Sequence, residues 1–158
     1  MHNLQIVKAV TKQDCLVCNK FLIKLMQFES KIDSSIFDKT STEEVYEKVL
    51  QQNNVFVAYA KYDTPVGYIS GYLKNLKGQG VTTNRVFVDS LYVDENFRGR
   101  GIGKKLLQEF ENWAIERFGD DYEIELLCLS NNKQALDFYN SLGYFEVKKT
   151  LRKTINKK

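Results

Sequence analysis

Histidine and cysteine, which supply many catalytic and metal sites, are scarce in this chain. Its 158 residues include one histidine and three cysteines. Because His2 lies beside the start of the chain, where order is uncommon, we exclude Ser-His and Cys-His catalysis. Cys15 and Cys18 have the spacing of a redox motif but lie in an apolar helical pattern, and Cys128 and His2 are poor partners for a tetrahedral zinc site. We therefore interpret the cysteines as packing residues and expect no metal.

Long apolar runs and a strong charge bias are also absent. No segment approaches the ~18 apolar residues of a membrane span, and the first residues lack a signal-peptide pattern. The net charge of +3 is too small to indicate nucleic-acid binding. A length of 158 residues predicts one domain over residues 1–158, and a hydrophobic content of 43% is ample for its core. We expect a cytoplasmic protein without nucleic-acid or membrane partners.

Apolar periodicity predicts interleaved strands and helices along the whole chain. The order β-α-α-β-β-β-α-β-α-β indicates a mixed sheet flanked by helices. The single proline, Pro65, lies in a predicted hairpin turn. The predicted strands cover Leu4–Val10, Val55–Tyr62, Val66–Leu73, Val86–Val93, Tyr122–Leu129 and a segment from Tyr144. The predicted helices run from the N-cap Thr11 to Phe28, from Ser41 to about Gln52, from Ile102 to Phe118, and over Asn132–Leu142.

A glycine-rich turn between a strand and a helix is the most informative segment. A helix N-terminus presents free N–H groups at the positive end of the helix dipole. Glycines let a phosphate approach the main chain closely, and basic side chains add charge of the right sign. The sequence therefore predicts a phosphate site in the segment Arg98-Gly99-Arg100-Gly101-Ile102-Gly103-Lys104-Lys105.

Two common nucleotide loops do not fit this segment. A P-loop requires a glycine five residues before Gly103 and a hydroxyl residue after Lys104, but Arg98 and Lys105 occupy those positions. A dinucleotide fingerprint that starts at Gly99 requires a third glycine where Lys104 stands. These residues exclude both the P-loop and the dinucleotide fingerprint.

The pattern Arg98-x-x-Gly101-x-Gly103, which follows a strand, resembles the pyrophosphate loop of the GNAT superfamily of acyl-CoA-dependent N-acetyltransferases. A second family element lies about 30 residues downstream and resembles the pattern N-x-x-A-x-x-F-Y-x-x-x-G-F/Y at every marked position. This element runs from Asn132 through Ala135, Phe138, Tyr139 and Gly143 to Tyr144.

The resemblance implies an α/β fold with a mixed, twisted sheet of six to seven strands, four flanking helices and two central parallel strands that splay apart. It implies acetyl-CoA as the co-substrate, with no metal, and a homodimer as an open possibility. The strand before the turn would bulge and direct its amides at the cofactor. The residues that the resemblance assigns to the cofactor are Leu91, Tyr92, Val93, Arg98, Gly99, Arg100, Gly101, Ile102, Gly103, Lys104, Asn132 and Tyr139.

Acetyl transfer to an amine needs a base, because an alkylammonium is neutral in only about one molecule in 2,500 at pH 7. Asp89 is the candidate base, since it lies on the strand that enters the turn. Counting by twos places it on one face with Phe87, Leu91 and Val93 if no bulge intervenes. The resemblance assigns Tyr139 as general acid. Protonation of the thiolate by a tyrosine is uphill by roughly 2 kcal/mol, so we expect a hydrogen bond that strengthens as the sulfur becomes anionic.

The helix that carries Tyr139 also has a predicted core residue and predicted ends. We interpret Phe138 as the core residue and Tyr139 as the site residue. Asn132 is a suitable N-cap that can also contact the cofactor, and Gly143 reads as the stop after the helix.

The sequence does not identify the amine acceptor, and more than one function is compatible with it. We expect the amine to enter beside the segment 29–39, the hairpin at Tyr68–Tyr72 and the loop after it, where Glu29, Asp33 and Asp38 would favour a cation. The main hypothesis is an acetyl-CoA-dependent N-acetyltransferase acting on a small-molecule or peptide amine by direct attack in a ternary complex. The alternatives are a non-catalytic acyl-CoA sensor of the same fold and a nucleotide-binding enzyme.

Overall fold

The computed structural model describes residues 3–36, 45–74, 83–119 and 122–155. These residues form two compact units, Met1–Leu127 and Cys128–Lys158. The single-domain organisation stays a prediction. No helix within the described ranges has both the length and the apolar character needed to cross a membrane.

The first unit is built on a five-stranded sheet. Its strands lie in the order β1-β2-β3-β4-β5, and all neighbours are antiparallel except β4 and β5, which are parallel. The strands are β1 (Gln5–Lys8), β2 (Val55–Lys61), β3 (Pro65–Lys74), β4 (Asn84–Val93) and β5 (Tyr122–Leu126).

Helices cover both faces of this sheet: α1 (Lys12–Ser30) and α2 (Val45–Val49) on one face and α3 (Ile102–Phe118) on the other. On the α1 face, the ring of Phe21 stacks on Tyr68 of β3 at 5.9 Å between centroids. On the α3 face, Phe110 contacts Phe56 of β2 at 5.9 Å. The alternation of side chains along each strand thus supplies two separate apolar layers.

The first helix begins where the sequence predicts. Thr11 is its N-cap, and the hydroxyl of Thr11 accepts a hydrogen bond from the N–H of Asp14 at 3.1 Å. The carboxylate of Asp14 in turn accepts from the N–H of Thr11 at 2.9 Å. This reciprocal capping box satisfies two N–H groups that the helix itself leaves without acceptors.

Strand β4 contains a bulge at Asp89. Ser70 of β3 pairs with Ser90, but the next residue, Gly71, pairs with Val88, so Asp89 has no partner in the ladder. One extra residue in a strand exchanges the faces to which the side chains beyond it point. Val88 therefore lies on the α3 face with Gly71, whereas Ser90 lies on the α1 face.

The second unit contains helix α4 (Lys133–Ser141). The side-chain oxygen of Asn132 accepts a hydrogen bond from the N–H of Ala135 at 3.2 Å, which makes Asn132 the N-cap. Gly143 has φ 88° and donates its N–H to Asn140, while Tyr144 donates to the carbonyl of Tyr139. This pair of bonds is a Schellman motif, and it confirms the predicted helix stop at Gly143.

Several predicted boundaries need correction. The described sheet has five strands rather than six to seven, because no strand is assigned within residues 144–155, where charged pairs interrupt the apolar alternation. β5 ends at Leu126 rather than Leu129, so Cys128 follows the strand instead of lying in it. Pro65 begins β3 and pairs with Lys61 rather than lying in the turn. α2 ends at Val49, and its predicted start at Ser41 lies outside the described residues.

Candidate functional site

Two glycines in the turn before α3 face open space. Gly99 and Gly101 have φ values of 75° and 76°, in the left-handed region that favours glycine. A Cβ atom added to either residue would have no atom of the described chain within 4 Å. The main chain of this turn can therefore be reached by a ligand without displacement of side chains.

The N-terminus of α3 offers donors to such a ligand. Gly101 is the N-cap and supplies no side-chain acceptor. Lys105 makes the first hydrogen bond of the helix, to the carbonyl of Gly101 at 3.1 Å. The N–H groups of Ile102, Gly103 and Lys104 therefore have no acceptor within the helix. Three such donors at the positive end of a helix dipole suit a phosphate group.

Arg98 packs against the end of β4, the strand that precedes the turn. Its Nε donates to the carbonyl of Val93 at 2.9 Å. Its guanidinium lies over two rings, 5.2 Å from the centroid of Phe28 in α1 and 5.5 Å from that of Tyr92 in β4. The side chain thereby connects the entry of the turn to α1. This contact does not appear in the sequence pattern, which predicted only charge for a phosphate.

Arg100 also folds back on the turn. Its Nη2 donates to the carbonyl of Asn96 at 3.2 Å, and its guanidinium lies 5.1 Å from the ring of Phe97. Lys104, by contrast, is exposed in the first turn of α3. The backbone amides and this lysine are therefore better placed for a phosphate than the two arginines.

Beyond the bulge, β4 has an open edge. Its pairing with β5 ends at Val88 opposite Leu126, and β4 continues for five residues to Val93. The carbonyl of Tyr92 lies against Gly67 of β3, since a Cβ at Gly67 would meet that oxygen at 2.7 Å. Because backbone groups alternate in direction along a strand, Leu91 and Val93 direct theirs to the opposite, open edge. The parallel pairing ends here because β5 ends at Leu126, and the splay of the two strands stays a prediction.

The bulge changes the predicted surroundings of Asp89. The condition that no bulge intervenes is not met, so Phe87 and Leu91 lie on opposite faces. Phe87 lies on the α1 face, 5.6 Å from the ring of Tyr72, and Leu91 pairs with Ile69 on the α3 face. Asp89 is exposed, and its carboxylate accepts a hydrogen bond from the Ser90 hydroxyl at 3.2 Å. The predicted base thus lies on the α1 side. The bulge is two residues before the segment 91–93 to which the resemblance assigned it.

A buried cluster of hydroxyls behind Asp89 was not predicted. Tyr46 of α2 donates to the hydroxyl of Tyr68 at 3.1 Å and lies 3.3 Å from the Ser70 hydroxyl. Ser90 is 6% exposed and Ser70 is 3% exposed. Two serines at inward positions of otherwise apolar strands are the signal that could have revealed this cluster.

In the second unit, Tyr139 and Phe138 are both half-buried. The ring of Tyr139 lies 5.1 Å from Phe138 and 5.5 Å from Tyr144. No residue of α4 is fully buried, so the assignment of Phe138 to the core is wrong. Asn132 uses its side-chain oxygen for the cap. The catalytic role of Tyr139 and the cofactor contact of Asn132 stay predictions.

The predicted acceptor region is only partly described. Glu29, at the end of α1, is half-buried, and burial raises the pKa of its carboxyl. Asp33 lies in the turn after α1, where its carboxylate accepts from the hydroxyl of Ser35 at 2.7 Å. Asp38 falls outside the described residues. In α1, burial raises the pKa of Cys18 to about 12, which keeps that thiol neutral.

Comparison with known proteins places these features in a family. The sequence matches the model of the acetyltransferase (GNAT) family over residues 22–144. Thialysine N-epsilon-acetyltransferase of Bos taurus is 30% identical over 78 residues, which are 49% of this chain and 43% of the relative. Spermine/spermidine N(1)-acetyltransferase of Bacillus subtilis is 30% identical over 95 residues, which are 52% of this chain and 60% of the relative. The chain thus spans about half the length of these two curated relatives.

A solved structure supports the fold over nearly the whole chain. The crystal structure of a tetramutant of a Bacillus halodurans protein superposes with a TM-score of 0.82 and 23% identity, and the match covers 96% of this chain and 99% of the other. The family match covers well over half of the sequence and includes the turn at residues 98–104. The protein belongs to the GNAT acetyltransferase family.

Proposed function

We propose that the protein transfers the acetyl group of acetyl-CoA to a primary amine by direct attack in a ternary complex. Its family membership and the amine substrates in the names of its relatives, thialysine and spermine or spermidine, support this activity. The observation that carries the proposal is the uncapped N-terminus of α3 behind two left-handed glycines that face open space. A diphosphate fits that arrangement of donors.

The proposed cofactor site includes the turn and the open edge of β4. The amides of Ile102, Gly103 and Lys104 bind the diphosphate, and Lys104 adds a positive charge. The open-edge N–H groups of Leu91 and Val93 bind the pantetheine arm and the thioester oxygen, where donors stabilise the tetrahedral oxyanion. The resemblance also assigns Tyr92 to the cofactor. Because the carbonyl of Tyr92 faces β3, we propose that Leu91 and Val93 supply the donors instead.

The proposed chemistry uses two side chains. Asp89 accepts the proton that the ammonium must lose. The neutral amine is less stable than the ammonium by roughly 4–5 kcal/mol at pH 7. The amine nitrogen then forms a bond to the thioester carbon, the carbon–sulfur bond breaks, and the proton that the nitrogen loses on becoming an amide ends on the sulfur, so that CoA leaves as the thiol. Tyr139 donates a hydrogen bond to the departing thiolate. The acceptor is a small-molecule or peptide amine, and we place the protein in the cytoplasm.

A thiol-release assay tests the activity. The purified chain is incubated with acetyl-CoA and a panel of polyamines, amino acids, aminoglycosides and lysine peptides, and released CoA is titrated. We expect amine-dependent release for at least one class. Saturable binding of acetyl-CoA without release on any amine would support the sensor instead. Thermal stabilisation by ATP or NAD but not by CoA would favour a nucleotide-binding enzyme.

A further inference from the structure

Two residues on one face of α1 contact the segment that leads from β4 into the glycine-rich turn. Lys24 and Phe28 are four residues apart, so they lie one above the other on the helix. The ammonium of Lys24 donates to the carboxylate of Asp94 at 2.8 Å. The guanidinium of Arg98 lies 5.2 Å from the centre of the Phe28 ring. α1 therefore follows this segment up to the residue before the first glycine of the turn.

The side chain of Arg98 joins the two parts of the proposed cofactor site. Its Nε donates to the carbonyl of Val93 at 2.9 Å, at the open edge of β4 where the thioester is proposed to bind. Three residues later in the chain, Gly101 begins the helix whose first amides are proposed to bind the diphosphate. The guanidinium lies over the rings of Phe28 and Tyr92, at 5.2 and 5.5 Å. Arg98 thus connects both parts to α1.

The glycines of the turn supply no side chain that could anchor it. A Cβ atom added to Gly99 or Gly101 would meet no atom of the described chain within 4 Å. Downstream of Gly101, Ile102 is 1% exposed and anchors the start of α3. Upstream, Arg98 stands beside the first glycine and is tied to both α1 and β4. The position of the diphosphate-binding amides relative to β4 therefore depends on Arg98.

We propose that Phe28 is a positioning residue for the cofactor site, which holds the guanidinium of Arg98 and thereby fixes the diphosphate-binding turn relative to the open edge of β4. This inference rests on the proposed function. A guanidinium is attracted to the face of an aromatic ring, and an aliphatic side chain has no such face. One CoA molecule has to reach the turn and the open edge at once, so a displaced turn weakens its binding.

Isothermal titration with CoA tests this role. Phe28→Leu keeps an apolar side chain but removes the ring, and we expect it to raise the Kd for CoA about three- to tenfold. Phe28→Tyr keeps the ring and should bind CoA within about twofold of the wild type. S-acetylpantetheine, which lacks the diphosphate, should bind all three proteins equally. Unchanged or tighter binding of CoA by Phe28→Leu, or an equal loss with S-acetylpantetheine, would overturn the inference.

A double-mutant cycle tests whether the ring acts through the arginine. Arg98→Met removes the charge and should itself weaken CoA binding. In that background Phe28→Leu should raise the Kd by less than about twofold, because the ring then has no guanidinium to hold. Additive losses in the double variant would show that Phe28 acts by another route and would refute the proposed role. If Phe28→Leu does not fold, Phe28→Met, which also lacks an aromatic face, takes its place in both experiments.

Leu22→Ala is the matched control for support of the core by α1. Leu22 precedes Phe28 by six residues, or about 9 Å along the helix axis. Like Phe28, it is partly buried and packs against the core cluster that contains Phe21 and Tyr92. Its variant should lower Tm at least as much as Phe28→Leu but keep the Kd for CoA within about twofold. Equal weakening of CoA by the two variants would contradict a specific role of Phe28.

The failure of the inference is distinct from that of the proposed function. If the wild-type chain binds CoA and acetylates an amine while Phe28→Leu binds CoA equally well, the positioning role is refuted and the proposed activity stands. If the wild-type chain does not bind CoA, the proposed activity fails and the inference fails with it.

Discussion

The substitution Gly101→Ala should weaken CoA binding by more than it lowers the stability of the fold. Gly101 has φ 76° and ψ 6°, so Gly101→Ala places an L-residue in the left-handed region at a cost of roughly 1–2 kcal/mol. For a chain of this size that lowers Tm by about 2–8 °C. The new methyl clashes with no described atom, so nothing further is lost in the free protein.

The effect on CoA should be larger. The methyl fills part of the open space beside Gly101. If the diphosphate occupies that space as proposed, the methyl displaces it from at least one amide of the turn. Loss of one charge-assisted hydrogen bond is worth about 1.5–3 kcal/mol, which corresponds to a 10- to 150-fold increase in Kd. Isothermal titration with CoA measures it directly. Binding of S-acetylpantetheine, which has no diphosphate, should be unchanged.

Gly119→Ala is the matched control at the other end of α3. Gly119 has φ 75° and ψ −156°, a region essentially restricted to glycine, and an added Cβ there also meets no described atom. This variant should lose at least as much stability as Gly101→Ala, yet bind CoA with unchanged Kd. If both variants weaken CoA equally, or if neither does, the placement of the diphosphate at this turn is refuted.

Three further variants test separate parts of the site. Tyr139→Phe should lower kcat more than it raises KM for acetyl-CoA in steady-state assays, whereas equal effects would make Tyr139 a binding residue. Arg98→Lys should lower the free energy of unfolding and weaken CoA binding, by roughly 1–2 kcal/mol each, because lysine cannot reproduce the planar stack and the Nε bond to Val93. An unchanged Tm would contradict the contact of Arg98 with Phe28 and Tyr92. Lys24 donates to Asp94 at 2.8 Å, and this hydrogen bond lowers the pKa of Asp94. Lys24→Met should therefore cost up to about 1 kcal/mol of unfolding free energy above the unfolded aspartate pKa of about 3.9. The difference should vanish as the pH falls through the lower folded-state pKa, and denaturant titrations in which it persists at that pH would disprove the pairing.

Local signals allowed much of the fold to be predicted. α3 begins at Ile102 and ends at Phe118, as the apolar spacing indicates, because its ends are fixed by Gly101 and Gly119 within the chain itself. Gly143 ends α4 for the same reason. Such features depend on a few adjacent residues, so they can be read without knowledge of the tertiary structure.

The bulge could not be read from the pattern of residues. Val86, Val88, Ser90 and Tyr92 are all buried, so burial alternates along β4 without interruption. Only the pairing with β3 reveals that Asp89 is an extra residue and that the buried face changes there. Burial on both faces of a central strand removes the contrast on which a period-two pattern depends.

The contacts of Arg98 were equally inaccessible. Its charge is evident from the sequence, but Phe28 lies in a different helix, far away in the chain. The same holds for the hydroxyl cluster, in which Tyr46 of α2 meets Tyr68 and Ser70 of β3. Side-chain partners of this kind are set by tertiary packing, and a motif records only the residue types.

The change of face at Asp89 lets one strand contribute buried side chains to both helical layers. Before the bulge, Val88 of β4 shares a layer with α3, the helix that follows the glycine-rich turn. After the bulge, Tyr92 shares a layer with Phe21 of α1. The two layers still share the strand between them, and Phe28 of α1 also contacts Arg98 beside the turn before α3. If the amine and the acyl donor bind as proposed, the two sites are linked mechanically through one strand and one arginine.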